Sequence, residues 1–124
     1  MREVCFILIG DKILRAYFGS GTRIPDLAER WQTIWHHRHE ITEIAHSHPG
    51  GFLDFSNEDL TTMEAVEAGT GKKFVWSIIT PKGFLSRQGT QDVQREDSPW
   101  WLEFLRKLSY DERRLLKRER RKRS

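Results

Sequence analysis

Cysteine is nearly absent from this chain: Cys5 is the only one in 124 residues. No intrachain disulfide can form, and no site built from several thiolates is available, which excludes zinc fingers and Cys-rich deaminases. Long hydrophobic runs are also missing. The longest, Val4 to Ile9, spans six residues, against the roughly 18 or more needed to cross a bilayer. Asp11 and Lys12 follow it almost at once, so it does not read as a secretory signal either. The chain therefore reads as cytoplasmic, with no membrane partner. Wholesale disorder is excluded from the other side, since 37% hydrophobic and 11% aromatic residues supply one modest core. At this length a second independent core is not expected.

Charge is abundant and unevenly placed. From Arg106 onward ten Lys or Arg face three carboxylates, a net +7, which leaves −4 on residues 1–105. An acidic body with a basic tail suits an acidic partner, while a basic run at a helix end also complements the macrodipole and needs no partner.

Periodicity divides the rest. Val4 to Ile9 is apolar, partly β-branched and stopped by Gly10, as in a buried strand; Ile13 to Phe18 returns as a second strand before Gly19-Ser20-Gly21. Ile24, Leu27, Trp31, Ile34 and Trp35 recur at helical spacing after Pro25 and predict a helix of about three turns. Ile41 to His46 reads as a strand ended by Pro49-Gly50-Gly51. Ser56 then suits an N-cap for a helix whose apolar face is Leu60, Met63 and Val66, stopping at Gly69. Phe74 to Thr80 is a strand, and Pro81-Lys82-Gly83 turns it toward Phe84 and Leu85. A polar linker over Gly89 to Ser98 leads to a helix with Trp101, Phe104, Leu105 and Leu108 on one face. Ser109 and Glu112 form a capping box, which predicts a break and a second helix from Tyr110.

The chemistry concentrates in the middle of the chain. On a strand, residues two apart share a face, so His46 and His48 present two imidazoles together. Asp59 lies in the first turn of the following helix and supplies a third ligand. Three protein ligands leave the fourth tetrahedral position open, the arrangement of a catalytic zinc. His36, His37 and His39 read as surface residues.

The pattern His46-Ser47-His48-Pro49, with Ser56 and Asp59 after it, resembles the JAMM, or MPN-type, metalloprotease motif. Glu3 followed by Val4 to Gly10 is similar to that family's upstream glutamate and strand. The resemblance runs from Glu3 to about Thr80. It implies an α+β fold, with a central curved sheet flanked by helices and further C-terminal helices. Residues 1–98 would form the catalytic domain, and 99–124 a helical extension with the basic tail. It implies a zinc ion (Zn2+) on His46, His48 and Asp59, Glu3 as general base and Ser56 as oxyanion donor. Rivals to Glu3 are Glu29, Glu40 and Glu43, of which Glu43 faces the opposite side of its strand from His46. Family members usually carry a helix before the glutamate, so the helix from Pro99 onward is expected to cover that face.

The function the resemblance implies is a zinc peptidase or isopeptidase, deubiquitinase-like, acting on a ubiquitin-like protein or its conjugates. Processing of a sulfur-carrier protein's tail uses the same site. A RadC-like nucleic-acid module shares the motif, but aromatics are not interleaved with the tail's charges. A silent MPN scaffold would usually have lost ligands, and here all are present.

Overall fold

The computed structural model describes residues 2–19 and 28–111. Its centre is a six-stranded sheet in the order β2-β1-β3-β4-β5-β6. The strands are β1 (Val4–Ile9), β2 (Lys12–Phe18), β3 (Glu43–Ser47), β4 (Val75–Ile79), β5 (Phe84–Gln88) and β6 (Gln91–Asp92). The helices are α1 (Ala28–His36), α2 (Asn57–Thr70) and α3 (Leu102–Arg106), the last continued by a turn of π-helix over Lys107–Asp111. Pairing is antiparallel except between β3 and β4, the two strands that α2 connects.

Alternation along the strands gives the sheet two apolar faces. Cys5, Ile7, Ile44, Trp76 and Ile78 turn to one side, where Ile34 of α1 and Met63 and Val66 of α2 pack on them. Val4, Phe6, Leu8, Ala45 and Ile79 turn to the other, under Trp101, Leu102 and Leu105. The result is a layered α+β fold, with α3 covering the β1 face as expected. At roughly 1.5 to 3 kcal/mol per large side chain removed from water, these helix contacts stabilise both layers.

Several boundaries differ from the expectations. The strand expected over Ile41 to His46 is paired from Glu43 to Ser47, so His48 lies just past its end. α2 runs through Gly69, because the chain does not leave the helix until Gly71, whose φ of +68° supplies the left-handed cap. Gly69 instead makes room for a neighbour: a Cβ there would meet the Trp31 ring at 2.7 Å. The stretch expected to be a plain linker contains β6, and its Arg95 reaches back 2.7 Å to Glu43. Trp31, Trp35, Leu60 and Phe104, all placed on apolar faces by their spacing, are exposed. Phe104 nonetheless has its ring centroid 5.7 Å from that of Phe6 in β1, and Trp31 packs against Gly69 of α2.

The predicted break at Ser109 does not occur. The helix widens into a π-turn, and the Ser109 hydroxyl, instead of capping, is buried and bonded across the chain to Arg2. Ser20 to Leu27, with Ile24 and Pro25, and the basic stretch with Glu112 lie outside the described residues.

Candidate metal centre

His46 is the fourth residue of β3 and stands opposite Cys5 of β1, which places it on the α1/α2 side of the sheet. His48 follows two residues later. Its N–H still bonds the Ile79 carbonyl at 2.9 Å, so the backbone keeps its course past the ladder and the imidazole stays on the same side. The chain then turns from His48 to Gly51, closed by a 3.0 Å bond from the Gly51 N–H to the His48 carbonyl. Gly51 has a φ of +80°, which an L side chain rarely adopts. That turn brings the Phe52 carbonyl to 2.7 Å from His48 Nδ1. A carbonyl can only accept, so Nδ1 carries a proton and Nε2 is the nitrogen turned toward His46 and Asp59.

Asp59 comes from the first turn of α2, held by a reciprocal cap. The Asp59 N–H donates to Ser56 Oγ at 3.0 Å, and the Ser56 N–H donates to Asp59 Oδ2 at 2.9 Å. This fixes the carboxylate against the histidines. His46 Nε2 is 3.2 Å from Oδ1, His48 Nε2 is 3.0 Å from Oδ2, and the two Nε2 atoms are 3.1 Å apart. The three ligand atoms lie within 4.8 Å of one another.

These spacings suit a metal. Bonds of about 2.0 to 2.1 Å in a tetrahedron set ligands about 3.3 Å apart, close to the three separations found here. The side chains are 12%, 14% and 17% exposed, which leaves one side of the cluster open to the cleft. Burial opposes charge on Asp59, but the hydrogen bonds from His46 and His48 outweigh it and hold the carboxyl well below its ordinary range. Burial likewise works against charge on His48, and its bonds to Asp59 and the Phe52 carbonyl more than offset it, moving its pKa up. An imidazole pair around an ionised carboxylate is thus electrostatically matched to a shared positive charge.

The cluster opens into a cleft of about 1460 Å³ between the sheet, α1 and α2. Glu3 and Ser56 line it with the three ligands, and so do Trp31 and Phe52. Glu3 immediately precedes β1. Its carbonyl accepts from the Gly19 N–H at 2.9 Å, and the Val4 N–H is fixed at 2.9 Å to Ser47 Oγ. Alternation then turns its side chain to the Cys5 and Ile7 side, the side of the histidines.

The rivals do not reach the cleft. Glu43 points to the other face, bonded to the Ser77 hydroxyl and paired with Arg95 at 2.7 Å. Glu40 is exposed and bonds His37 at 2.8 Å, and Glu29 is exposed on α1. His36 and His39 are exposed as well. Glu58, which no motif singled out, also lines the cleft from the first turn of α2.

Ser56 shows no conflict between its two suggested roles. As a cap its oxygen accepts a bond, so its own O–H proton is not spent in the cap. Cys5 faces the cleft but is 3% exposed, and burial pushes its thiol up to about 11, which makes it unfit as a nucleophile at neutral pH.

Two residues that touch the ligand strand were missed by sequence reasoning. Tyr110 shares its hydroxyl between the carbonyls of His48, at 2.7 Å, and Ile79, at 3.0 Å. Ser109 Oγ lies 2.8 Å from Ser47 Oγ, between the two histidines in sequence. No local pattern signals contacts spanning 62 residues. No protein-family model matches the chain, and no curated protein matches it. Among the described residues no helix is long and apolar enough to cross a membrane.

Proposed function

We propose that this chain is a zinc-dependent hydrolase of JAMM/MPN type that cleaves the peptide or isopeptide bond following a ubiquitin-like modifier. The observation that carries the reading is the convergence of His46, His48 and Asp59 in a cleft also lined by Glu3 and Ser56. A base and a hydroxyl donor beside three ligands with one open side make a hydrolytic set, where a purely structural zinc would have four protein ligands.

Zinc held there supplies a Lewis acid that polarises a carbonyl and acidifies water. Glu3 takes a proton from the attacking water and returns it to the departing amine as the C–N bond breaks, so no net proton is consumed on the enzyme. Ser56 donates its free O–H to the carbonyl oxygen as negative charge gathers there. The Phe52 carbonyl holds the His48 ring by Nδ1, so the ligand nitrogen keeps its direction. Trp31 and Phe52 offer apolar walls for an extended tail entering the cleft.

The test begins with metal analysis of the purified chain and of His46→Ala and Asp59→Ala. One zinc per chain in the wild type and loss in both variants are expected. Ubiquitin-like proteins carrying a C-terminal aminocoumarin amide then report hydrolysis, which should require zinc and stop on chelation. Retention of zinc by both variants would overturn the site. Zinc binding with no hydrolysis of any modifier amide would overturn the activity.

A further inference from the structure

The metal centre is built on one side of the sheet, yet the backbone that carries it is tied down from the other. We propose that Ser109 and Tyr110, in the π-turn after α3, are positioning residues of the metal centre, clamping the backbone on which Glu3 and His48 are mounted. The inference rests on reading His46, His48 and Asp59 as metal ligands.

Two observations converge on it. The first concerns His48, which has left the β-ladder and precedes a proline with no N–H. Its carbonyl would be held only by the Gly51 turn, were it not for the Tyr110 hydroxyl at 2.7 Å. The same hydroxyl reaches the Ile79 carbonyl at 3.0 Å, and Ile79 in turn accepts the His48 N–H. Tyr110 therefore locks the peptide plane after His48 to β4. Rotation of that plane would swing the His48 Cα and carry its ring away from His46 and Asp59.

The second concerns Glu3. Its neighbour Arg2 is gripped from both directions by the π-turn: the Arg2 N–H donates to the Ser109 carbonyl at 3.2 Å, and the Ser109 hydroxyl donates to the Arg2 carbonyl at 2.5 Å. Arg2 Nε also donates to the Leu108 carbonyl at 3.2 Å. On the far side of Glu3, the Val4 N–H bonds Ser47 Oγ, which lies 2.8 Å from Ser109 Oγ. Ser47 and Ser109 are both fully or almost fully buried. One hydroxyl pair thus joins the strand that bears the base to the strand that bears the ligands. A π-turn widens the helix by one residue per turn, a rare geometry that recurs at functional sites. Here it turns Ser109 and Tyr110 together toward the sheet.

The experiment compares Tyr110→Phe and Ser109→Ala with wild type by zinc competition against a chromophoric chelator and by the visible absorption bands of the cobalt(II) form. Leu105→Val is the control, since it loosens the same packed segment without removing a hydroxyl. Partners one bond removed from a ligand typically change metal affinity roughly 10- to 100-fold when lost. The expected result is a loss of that order in Tyr110→Phe, a shifted cobalt spectrum in both hydroxyl variants, and neither change in Leu105→Val at a matched melting temperature. Wild-type affinity and spectrum in both hydroxyl variants would overturn the clamp while leaving the metal site standing. Equal losses in Leu105→Val would reduce the effect to general stability and overturn it too. A wild-type chain that binds neither zinc nor cobalt would overturn the metal reading itself, and the clamp with it.

Discussion

Glu3 immediately precedes β1, the strand paired beside His46, and Glu43 opens β3, the strand that carries His46; alternation turns the two side chains to opposite faces. Glu3 shares a face with Cys5 and Ile7, toward the cleft, while Glu43 turns to Ser77 and Arg95. Glu3→Gln is therefore expected to keep zinc and fold while lowering turnover about 10² to 10⁴-fold, the usual cost of losing a positioned base. Glu43→Gln should keep both zinc and turnover while lowering the denaturation midpoint. Metal content, circular dichroism and kcat on one modifier amide check the pair; an inactive Glu43→Gln beside an active Glu3→Gln would reverse the assignment. Cys5 gives a second expectation at this scale. Its thiol is raised to about 11 by burial, so the unfolded chain loses this proton first as pH climbs. The stabilisation is whole below the ordinary thiol pKa and fades as pH rises from there toward about 11. Urea melts at pH 8 and pH 10 should show a drop that Cys5→Ala lacks.

Helix α2 shows which local signals could be read and which could not. Ser56 and Asp59 three residues apart are a cap in sequence and a cap in the fold, and the same spacing delivers Asp59 to the histidines. His46 and His48 were legible by the same short-range logic. Gly69 was misread because a glycine near a helix end resembles a stop, whereas the left-handed backbone is at Gly71 and Gly69 accommodates Trp31. Gly71→Ala should cost about 1 kcal/mol through the positive φ, seen as a lower denaturation midpoint with unchanged zinc content. Ser56→Ala loses the cap at about 1 kcal/mol. It should also lower kcat by about 10² to 10³-fold, as for loss of an oxyanion donor. Ser56→Thr keeps a hydroxyl and should recover most of that rate. A Ser56→Ala variant with full kcat would confine Ser56 to capping.

Across the whole molecule, the sheet works as a wall with different contents on its two sides: the His46, His48 and Asp59 cluster under α1 and α2, and long-range ties under α3. The ties were illegible in sequence because they have no period. Arg95 meets Glu43 across 52 residues, from a stretch whose polar composition reads as a plain linker. Their side chains are 20% and 10% exposed, and Arg95 also lies 5.9 Å from the Trp101 ring centroid, so one guanidinium joins β3, the segment after β6 and the approach to α3. Arg95→Ala leaves the Glu43 carboxylate buried with the Ser77 hydroxyl as its remaining partner, a loss that typically costs about 3 to 5 kcal/mol. Adding Glu43→Gln removes the stranded charge and should restore a large part of it, which a double-mutant cycle in urea measures as a positive coupling. Zinc affinity should stay at the wild-type level in both variants while they are folded, because the Glu43 and Arg95 side chains bond each other and Ser77, not the Arg2 and His48 backbone that Ser109 and Tyr110 hold. Zinc affinity falling in step with stability in Arg95→Ala, and returning in the double variant, would show instead that the two sides of the wall are energetically one unit.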